Sequence, residues 1–208
     1  MSGLLPPITH DFPRVSTPFR YIGLLMLRMF GWQVDGPAPA VDRAVVIAAP
    51  HTSNWDFWFG LGACWTYGFH PQWLGKDALF RPPWGGFMRW TGGIAVDRSR
   101  KNGMVEQAVE SFATGRPLML MVPAEGTRSW APYWRSGFYW MAVQAKVPIV
   151  CGFVDFARRR VGFGPVVTPT GDPATDMAAL RAFYGGVTGK FPECAGPVRL
   201  RIEDEPEG

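Results

Sequence analysis

The chain has 208 residues, of which 47% are hydrophobic and 18% charged, and its formal net charge is +4. This length suits one packed domain, and the composition excludes a disordered, collagen-like or coiled-coil chain. The basic residues form no long block, which argues against nucleic-acid binding. Low charge and a tryptophan count of 10 instead favour apolar ligands or a membrane surface as partners.

The first predicted element is an amphipathic helix at Pro18–Trp32, in which Arg20 and Arg28 stand among apolar and aromatic side chains. Such a helix suits the interface between water and lipid, with its apolar side toward the bilayer. Packing on the core of the domain is an equal alternative. A spanning helix is not expected, since no run of about 18 apolar residues occurs, and a signal peptide is not expected either.

Residues 1–34 are predicted to form this N-terminal segment and residues 41–208 a single domain, with the Pro- and Gly-rich stretch 35–40 between them. In the predicted domain, short apolar strands alternate with amphipathic helices. The strands are predicted at 43–49, around Leu74 and at 93–97, 117–122 and 148–153, and the helices after Asn54, at 84–90, 103–113 and 137–145, and after Pro173. This alternation predicts an α/β fold with a largely parallel central sheet flanked by helices.

The three cysteines, Cys64, Cys151 and Cys194, lie far apart and form no CxxC pair. The pattern predicts neither a disulfide framework nor a zinc site, and it favours a reducing compartment. We expect each cysteine to be a small core residue.

The most informative segment is His51-Thr52-Ser53-Asn54-Trp55-Asp56, which follows the predicted strand 43–49. Sites of α/β folds open at the ends of strands, where His51 is expected to lie. With His51 in the loop and Asp56 in the first turn of the next helix, the carboxylate can reach one imidazole nitrogen. The other nitrogen is then left as a general base. The alternative is a loop histidine beside an aspartate that serves only the helix N-terminus.

Three further segments carry candidate binding residues. Glu125-Gly126-Thr127-Arg128 follows a predicted strand; its glycine permits close approach of the backbone, and Arg128 offers a fork to phosphate. The segment 92–98 delivers Arg98 at the end of another strand, and the segment 147–150 is a strand with a proline at its start. Taken singly, each has an ordinary alternative: a loop with a salt bridge, a surface arginine or a plain strand.

Together and in this order, the four segments resemble those of the glycerolipid acyltransferases, the PlsC-like group that includes lysophosphatidic acid acyltransferases. That family carries an HxxxxD motif, a second block that ends in arginine, an EGTR block and a fourth block centred on proline. The resemblance runs from about Val45 to Asp155, roughly half of the chain, and includes Lys76-Asp77-Ala78-Leu79-Phe80 between the first two blocks.

The resemblance implies a role for each matching residue. His51 would deprotonate a glycerol hydroxyl, Asp56 would hold and polarise His51, and Arg98 would bind the acceptor phosphate. The block that binds the acceptor corresponds to Glu125, Gly126, Thr127 and Arg128. The alkoxide attacks an acyl thioester of coenzyme A or acyl carrier protein without an acyl-enzyme, so the resemblance implies no metal and no further cofactor.

The chain departs from the family pattern at two positions. Pro50 stands where the family usually has asparagine before the histidine, and Ala124 separates Pro123 from Glu125, which are usually adjacent. Because proline has no backbone N–H, the first change alters the hydrogen bonding of the histidine loop. The second shifts how the EGTR block is presented. Both bear on the identity of the acceptor more than on acyl transfer.

We therefore expect an acyltransferase of the 1-acylglycerol-3-phosphate type, peripheral on the cytoplasmic, inner face of a membrane. Its partners would be acyl-CoA or acyl carrier protein as donor, a lysophospholipid or related lipid acceptor, and the membrane surface. Two alternatives stay open: a lipid-binding docking protein without turnover, and a thioester hydrolase in which His51 and Asp56 activate water. Candidates for an apolar acyl groove are Phe57, Trp58, Phe59, Leu61, Trp65, Tyr67 and Phe69.

Overall fold

The structure, a computed structural model, describes residues 5–7, 15–96 and 103–204. Within them, the strands are β1 (Gln33–Asp35), β2 (Arg43–Ala49), β3 (Gln72–Lys76), β4 (Gly93–Val96), β5 (Leu118–Val122), β6 (Ile149–Asp155) and β7 (Arg160–Val167). They form one sheet in the order β1-β7-β6-β2-β5-β3-β4. Every neighbouring pair is parallel except β6 and β7.

The helices in the same residues are α1 (Thr17–Met29), α2 (Trp55–Tyr67), α3 (Gly85–Trp90), α4 (Gly103–Ala113), α5 (Gly137–Ala145) and α6 (Pro173–Tyr184). Short 3₁₀ turns lie at Asp77–Phe80, Pro192–Cys194 and Arg201–Glu203. The predicted α/β fold, with helices around a largely parallel sheet, is confirmed.

The two faces of strand β2 belong to different apolar cores. Val45 and Ile47 point into a core shared with α4, α5 and α6. Ala44 and Val46 point into a second core shared with α1 and α2. Since successive side chains of a strand point to opposite faces, helices cover both faces of the sheet, which is why β2 has a continuous apolar sequence.

Strand β2 lies at the centre of the sheet, between β5 and β6, and is parallel to both. Its Ile47 lies opposite Val122 at the end of β5, and its Ala49 lies opposite Phe153 near the end of β6. The carboxyl ends of these three strands therefore meet at one edge, and the loops that follow them lie side by side. Ligands of open α/β sheets bind at this edge.

Helix α1 packs closely on α2, and its remaining face is apolar and exposed. A Cβ on Gly23 would come within 2.6 Å of the carbonyl oxygen of Gly62, so the two helices are in close contact there. The outer face carries Ile22, Leu25 and Met29, exposed to 50%, 60% and 73%. One face of the helix therefore packs on the domain, and contact of the other face with a membrane stays a prediction. Within the described residues, no helix is long and apolar enough to cross a membrane.

Arg20, one of the two cations of the predicted interfacial helix, is buried instead of facing an interface. Its Nε donates to the carbonyl oxygen of Thr66 on α2 at 3.1 Å, and its guanidinium also donates to the carbonyl oxygen of Pro6. Arg28 is exposed. Arg20 therefore ties α1 to α2 and is not available to a lipid headgroup.

Two strands of the sheet are absent from the sequence-based prediction. Strand β7 contains Gly162, Gly164 and Pro165, which interrupt the apolar pattern that marks a strand. Strand β1 is only three residues long and ends inside the predicted linker, at Asp35. Its backbone is fixed by the hydroxyl of Tyr67, which bonds to the carbonyl oxygen of Asp35 at 2.9 Å.

Candidate active site

His51 and Asp56 lie together at the carboxyl edge of the sheet. His51 lies in the loop after β2, and Asp56 is in the first turn of α2. The distance from His51 Nδ1 to Asp56 Oδ2 is 3.3 Å, and the side chains are 24% and 5% exposed, respectively. Among the described residues, none bonds to the second imidazole nitrogen, Nε2. A buried carboxylate on Nδ1 leaves Nε2 able to accept a proton.

Asp56 is held in place by Ser53. The backbone N–H of Ser53 donates to Asp56 Oδ2 at 2.7 Å, and the Ser53 hydroxyl donates to Oδ1 at 2.8 Å. The Ser53 oxygen also accepts the backbone N–H of Trp55 at 3.2 Å, at the start of α2. These bonds fix the carboxylate toward the imidazole. Ser53 has no role in the sequence-based predictions, although a serine three residues before Asp56 was the available signal for this one.

Glu125 supports the histidine loop through a hydrogen bond to its backbone. It follows β5, is 5% exposed, and its Oε1 accepts the backbone N–H of His51 at 2.9 Å. Its Oε2 is buried without a hydrogen-bond partner among the described residues. Burial raises the pKa of this carboxyl above its ordinary value. The predicted acceptor contact of Glu125 stays a prediction; its visible bond is to the protein backbone.

The rest of the EGTR block turns back toward α2. Gly126 has a φ of 65°, a left-handed conformation that glycine adopts without strain, and its N–H donates to the carbonyl oxygen of Pro123 at 3.1 Å. Thr127 Oγ1 accepts the N–H of Ser129 at 3.2 Å. Arg128 is exposed, and its guanidinium donates to the side-chain oxygen of Asn54. The turn therefore brings a cation to the start of α2.

The structure thus brings His51, Asp56, Glu125, Gly126, Thr127 and Arg128 together at one edge. Arg98 lies outside the described residues, and strand β4, which precedes it, ends at Val96. Its predicted contact with the acceptor phosphate stays a prediction.

A C-terminal segment, Thr188–Phe191, also belongs to this edge, although no sequence pattern indicated it. The carbonyl oxygen of Thr188 accepts the N–H of Phe156, just after β6, at 2.9 Å. The N–H of Phe191 donates to Thr52 Oγ1 at 3.2 Å. The histidine loop is therefore held from the β5 side by Glu125 and from the β6 side by this segment.

The predicted groove residues are divided between the core and the surface. Phe59, Leu61, Trp65, Tyr67 and Phe69 are buried. Trp58 is 36% exposed, and its ring lies 6.1 Å from that of Phe87 on α3, which is also exposed. Trp84 and Trp90 extend this aromatic surface along α3. An apolar surface thus runs from the helix that carries Asp56 to α3.

A cleft of about 190 Å³ lies elsewhere, at the opposite edge of the sheet, where β3 and β5 begin. Its lining includes His70, Gln72 and Leu118. The length of a strand separates it from His51, so its position does not connect it with the His51–Asp56 pair.

The described cysteines have no catalytic surroundings. Cys64 and Cys151 are buried, as predicted, and burial raises both thiol pKa values, that of Cys151 to about 12. Cys194 is half-buried. Within the described residues, no three His, Cys, Asp or Glu side chains are grouped as a metal site needs.

The chain belongs to the acyltransferase family, whose model matches residues 32–153. That range includes both loops that meet at His51 but not the segment Thr188–Phe191. The chain is similar in structure to the 1-acyl-sn-glycerophosphate (LPA) acyltransferase PlsC from Thermotoga maritima, at 16% identity and a TM-score of 0.53, over 78% of this chain and 73% of that one. At this identity the likeness shows a shared fold. No curated protein matches the chain significantly.

Proposed function

We propose that this acyltransferase moves a fatty acyl group from an acyl thioester to a hydroxyl of a lysophospholipid or a related glycerol phosphate. The observation that carries the proposal is the His51–Asp56 pair, with 3.3 Å between Nδ1 and Oδ2, at the carboxyl edge of the sheet. Membership of the acyltransferase family indicates the class of reaction, and the His51–Asp56 pair offers the general base that the reaction needs. The PlsC enzyme similar in fold acts on 1-acyl-sn-glycerophosphate, which makes a phosphorylated acceptor the first candidate.

The reaction needs one proton acceptor and no covalent enzyme intermediate. Nε2 of His51 takes the proton of the acceptor hydroxyl as its oxygen attacks the thioester carbonyl. Asp56 stabilises the imidazolium that forms. The C–S bond of the tetrahedral intermediate then breaks, and the leaving thiolate takes the proton from His51. The products are an ester and a free thiol.

Arg128 is a described cation that suits the acceptor phosphate. It is exposed at the start of α2, and its bond to Asn54 orients a guanidinium whose fork matches phosphate oxygens. Arg98 has the same role by resemblance to the family. Glu125 acts on the reaction through the backbone of His51, as a positioning residue.

The exposed apolar face of α1 supports binding at a membrane surface. Ile22, Leu25 and Met29 share one side of the helix, and a bilayer would cover them while the helix stays packed on α2. This arrangement suits an enzyme that takes a lipid acceptor, peripheral on the inner face of a membrane. The donor would be acyl-CoA or acyl carrier protein.

The test is incubation of the purified chain with acyl-CoA and lysophosphatidic acid, with thiol release and acylated lipid both measured. We expect equal amounts of thiol and of newly acylated lipid, and neither above background with His51→Ala. Thiol without acylated lipid would indicate a hydrolase. Lipid binding with no thiol release from the wild type would indicate a docking protein and overturn the proposal.

A further inference from the structure

Lys190 lies on two aromatic rings beside the histidine loop. Its Nζ is 5.3 Å from the centre of the Trp55 ring and 5.6 Å from that of Phe191. Trp55 is the first residue of α2, directly before Asp56, and both aromatic side chains are exposed at their outer edges. Lys190 itself is half-buried.

The backbone around Lys190 is fixed against the histidine loop. A Cβ on Gly189 would come 2.8 Å from Thr52 Oγ1, so only glycine permits this approach. On the other side of Lys190, the N–H of Phe191 donates to Thr52 Oγ1. Lys190 therefore stands between two residues that contact Thr52, the residue next to His51, so the position of its backbone relative to the histidine loop is fixed.

The charge of Lys190 has no ion-pair partner in the part of the chain that the structure describes. Among the described residues, no carboxylate lies within 4.0 Å of its Nζ, and none accepts a hydrogen bond from it. Aromatic rings attract an ammonium ion but accept none of its three N–H groups in full hydrogen bonds. The group is thus held in place with its donors available to an anion.

A second cation lies at the same turn. Arg128 bonds to the side chain of Asn54, and Lys190 contacts the ring of Trp55, the next residue. Arg128 comes from the loop after β5, whereas Lys190 belongs to the segment Thr188–Phe191, which is attached behind β6. Both cations therefore lie at the start of α2, where the helix N-terminus also favours an anion.

We infer that Lys190 binds a phosphate group of the substrate, opposite Arg128, at the entrance to the His51–Asp56 pair. This inference rests on the proposed function and extends it to a residue outside the range that the family model matches. The phosphate belongs either to the acceptor lipid or to the coenzyme A of the donor, and both present the same oxygens to an ammonium group.

The experiment replaces Lys190 by glutamine, which keeps most of the stem, and by arginine, which keeps the charge. The matched control is Arg116→Gln, which removes one exposed positive charge at the opposite edge of the sheet, before β5 begins. KM and kcat are measured separately for lysophosphatidic acid and for acyl-CoA. Binding of glycerol 3-phosphate and of coenzyme A is measured by calorimetry, which needs no turnover.

We expect Lys190→Gln to raise the KM for either lysophosphatidic acid or acyl-CoA about tenfold, with kcat nearly unchanged. This is the effect of losing one charge-assisted hydrogen bond. A raised KM for lysophosphatidic acid assigns the acceptor phosphate, and a raised KM for acyl-CoA assigns the donor. Lys190→Arg should restore most of the loss, and Arg116→Gln should behave as the wild type.

The inference is overturned if neither KM and neither calorimetric affinity changes in Lys190→Gln, or if Lys190→Arg is as defective as Lys190→Gln. A wild-type chain without transferase activity would refute the proposed function alone. In that event calorimetry still decides on Lys190: weaker phosphate binding in Lys190→Gln supports the site, and unchanged binding refutes it.

Discussion

Glu125 and His51 are joined by a hydrogen bond that leaves the imidazole untouched: the carboxylate accepts the backbone N–H of His51 at 2.9 Å. The bond links the loops that follow two adjacent parallel strands, β5 and β2. The position of the His51 backbone is therefore fixed by Glu125, a buried residue of the EGTR block. Asp56 sets the orientation of the ring, and Glu125 sets the position of the backbone that carries it.

Glu125→Ala should lower kcat while the KM for the acceptor stays near the wild-type value. The substitution leaves the N–H of His51 without its acceptor, which we expect to cost about 1–3 kcal/mol in the free energy of unfolding. Glu125→Gln retains an oxygen for this bond and should keep most of the activity. Steady-state kinetics and urea unfolding of both variants test this. A raised acceptor KM in both would indicate that Glu125 contacts the acceptor instead.

The buried carboxyl of Glu125 should also make stability depend on pH. Burial raises its pKa in the folded protein above the ordinary 4.5, so the folded state holds the proton more tightly than the unfolded state. The resulting stabilisation is complete below the unfolded pKa and is lost as pH rises through the folded pKa. Glu125→Gln removes this loss, so its stability relative to wild type should improve as pH rises from about 4.5 through the folded pKa. A constant difference across urea titrations would contradict this.

His51→Ala and Asp56→Asn should act on the same step. Loss of the general base should lower kcat about 100- to 10,000-fold, and the double variant should be no slower than His51→Ala alone. Ser53→Ala removes the hydroxyl that bonds to Asp56 Oδ1 and to the N–H of Trp55, but it leaves the backbone bond to Oδ2 and should have a smaller effect. Kinetics of the four variants, with circular dichroism to verify folding, test the coupling. Multiplied losses in the double variant would show independent roles.

Leu25→Glu and Met29→Glu should weaken binding to anionic vesicles without destabilising the protein. Both side chains are largely exposed, so a charge there costs little in water but removes about 1.5–3 kcal/mol of apolar burial in a bilayer. Cosedimentation should show a loss of about tenfold or more for each. Ala179→Glu places the same charge on an exposed position of α6, across the sheet, and should bind as wild type. Equal losses in all three variants would argue against docking through α1.

Sequence patterns located the elements that support the site better than those that complete it. Strand β2 and helix α5 have the predicted bounds, because each is an apolar run with clear ends. The loops of His51 and Glu125 could be placed because both directly follow such strands. Lys190 could not be placed in this way. Tertiary structure alone brings it close to Trp55, and a Gly-Lys-Phe triplet has no hydrophobic periodicity.

The contacts around the histidine loop also have a consequence for the order of assembly. The bond between His51 and Glu125 spans 74 residues, and that between Thr52 and Phe191 spans 139. Closing such long loops costs entropy that only later contacts repay. During synthesis, the HxxxxD loop leaves the ribosome long before either of its supports. We therefore expect the histidine loop to be fixed in place only after the chain has been synthesised as far as Phe191.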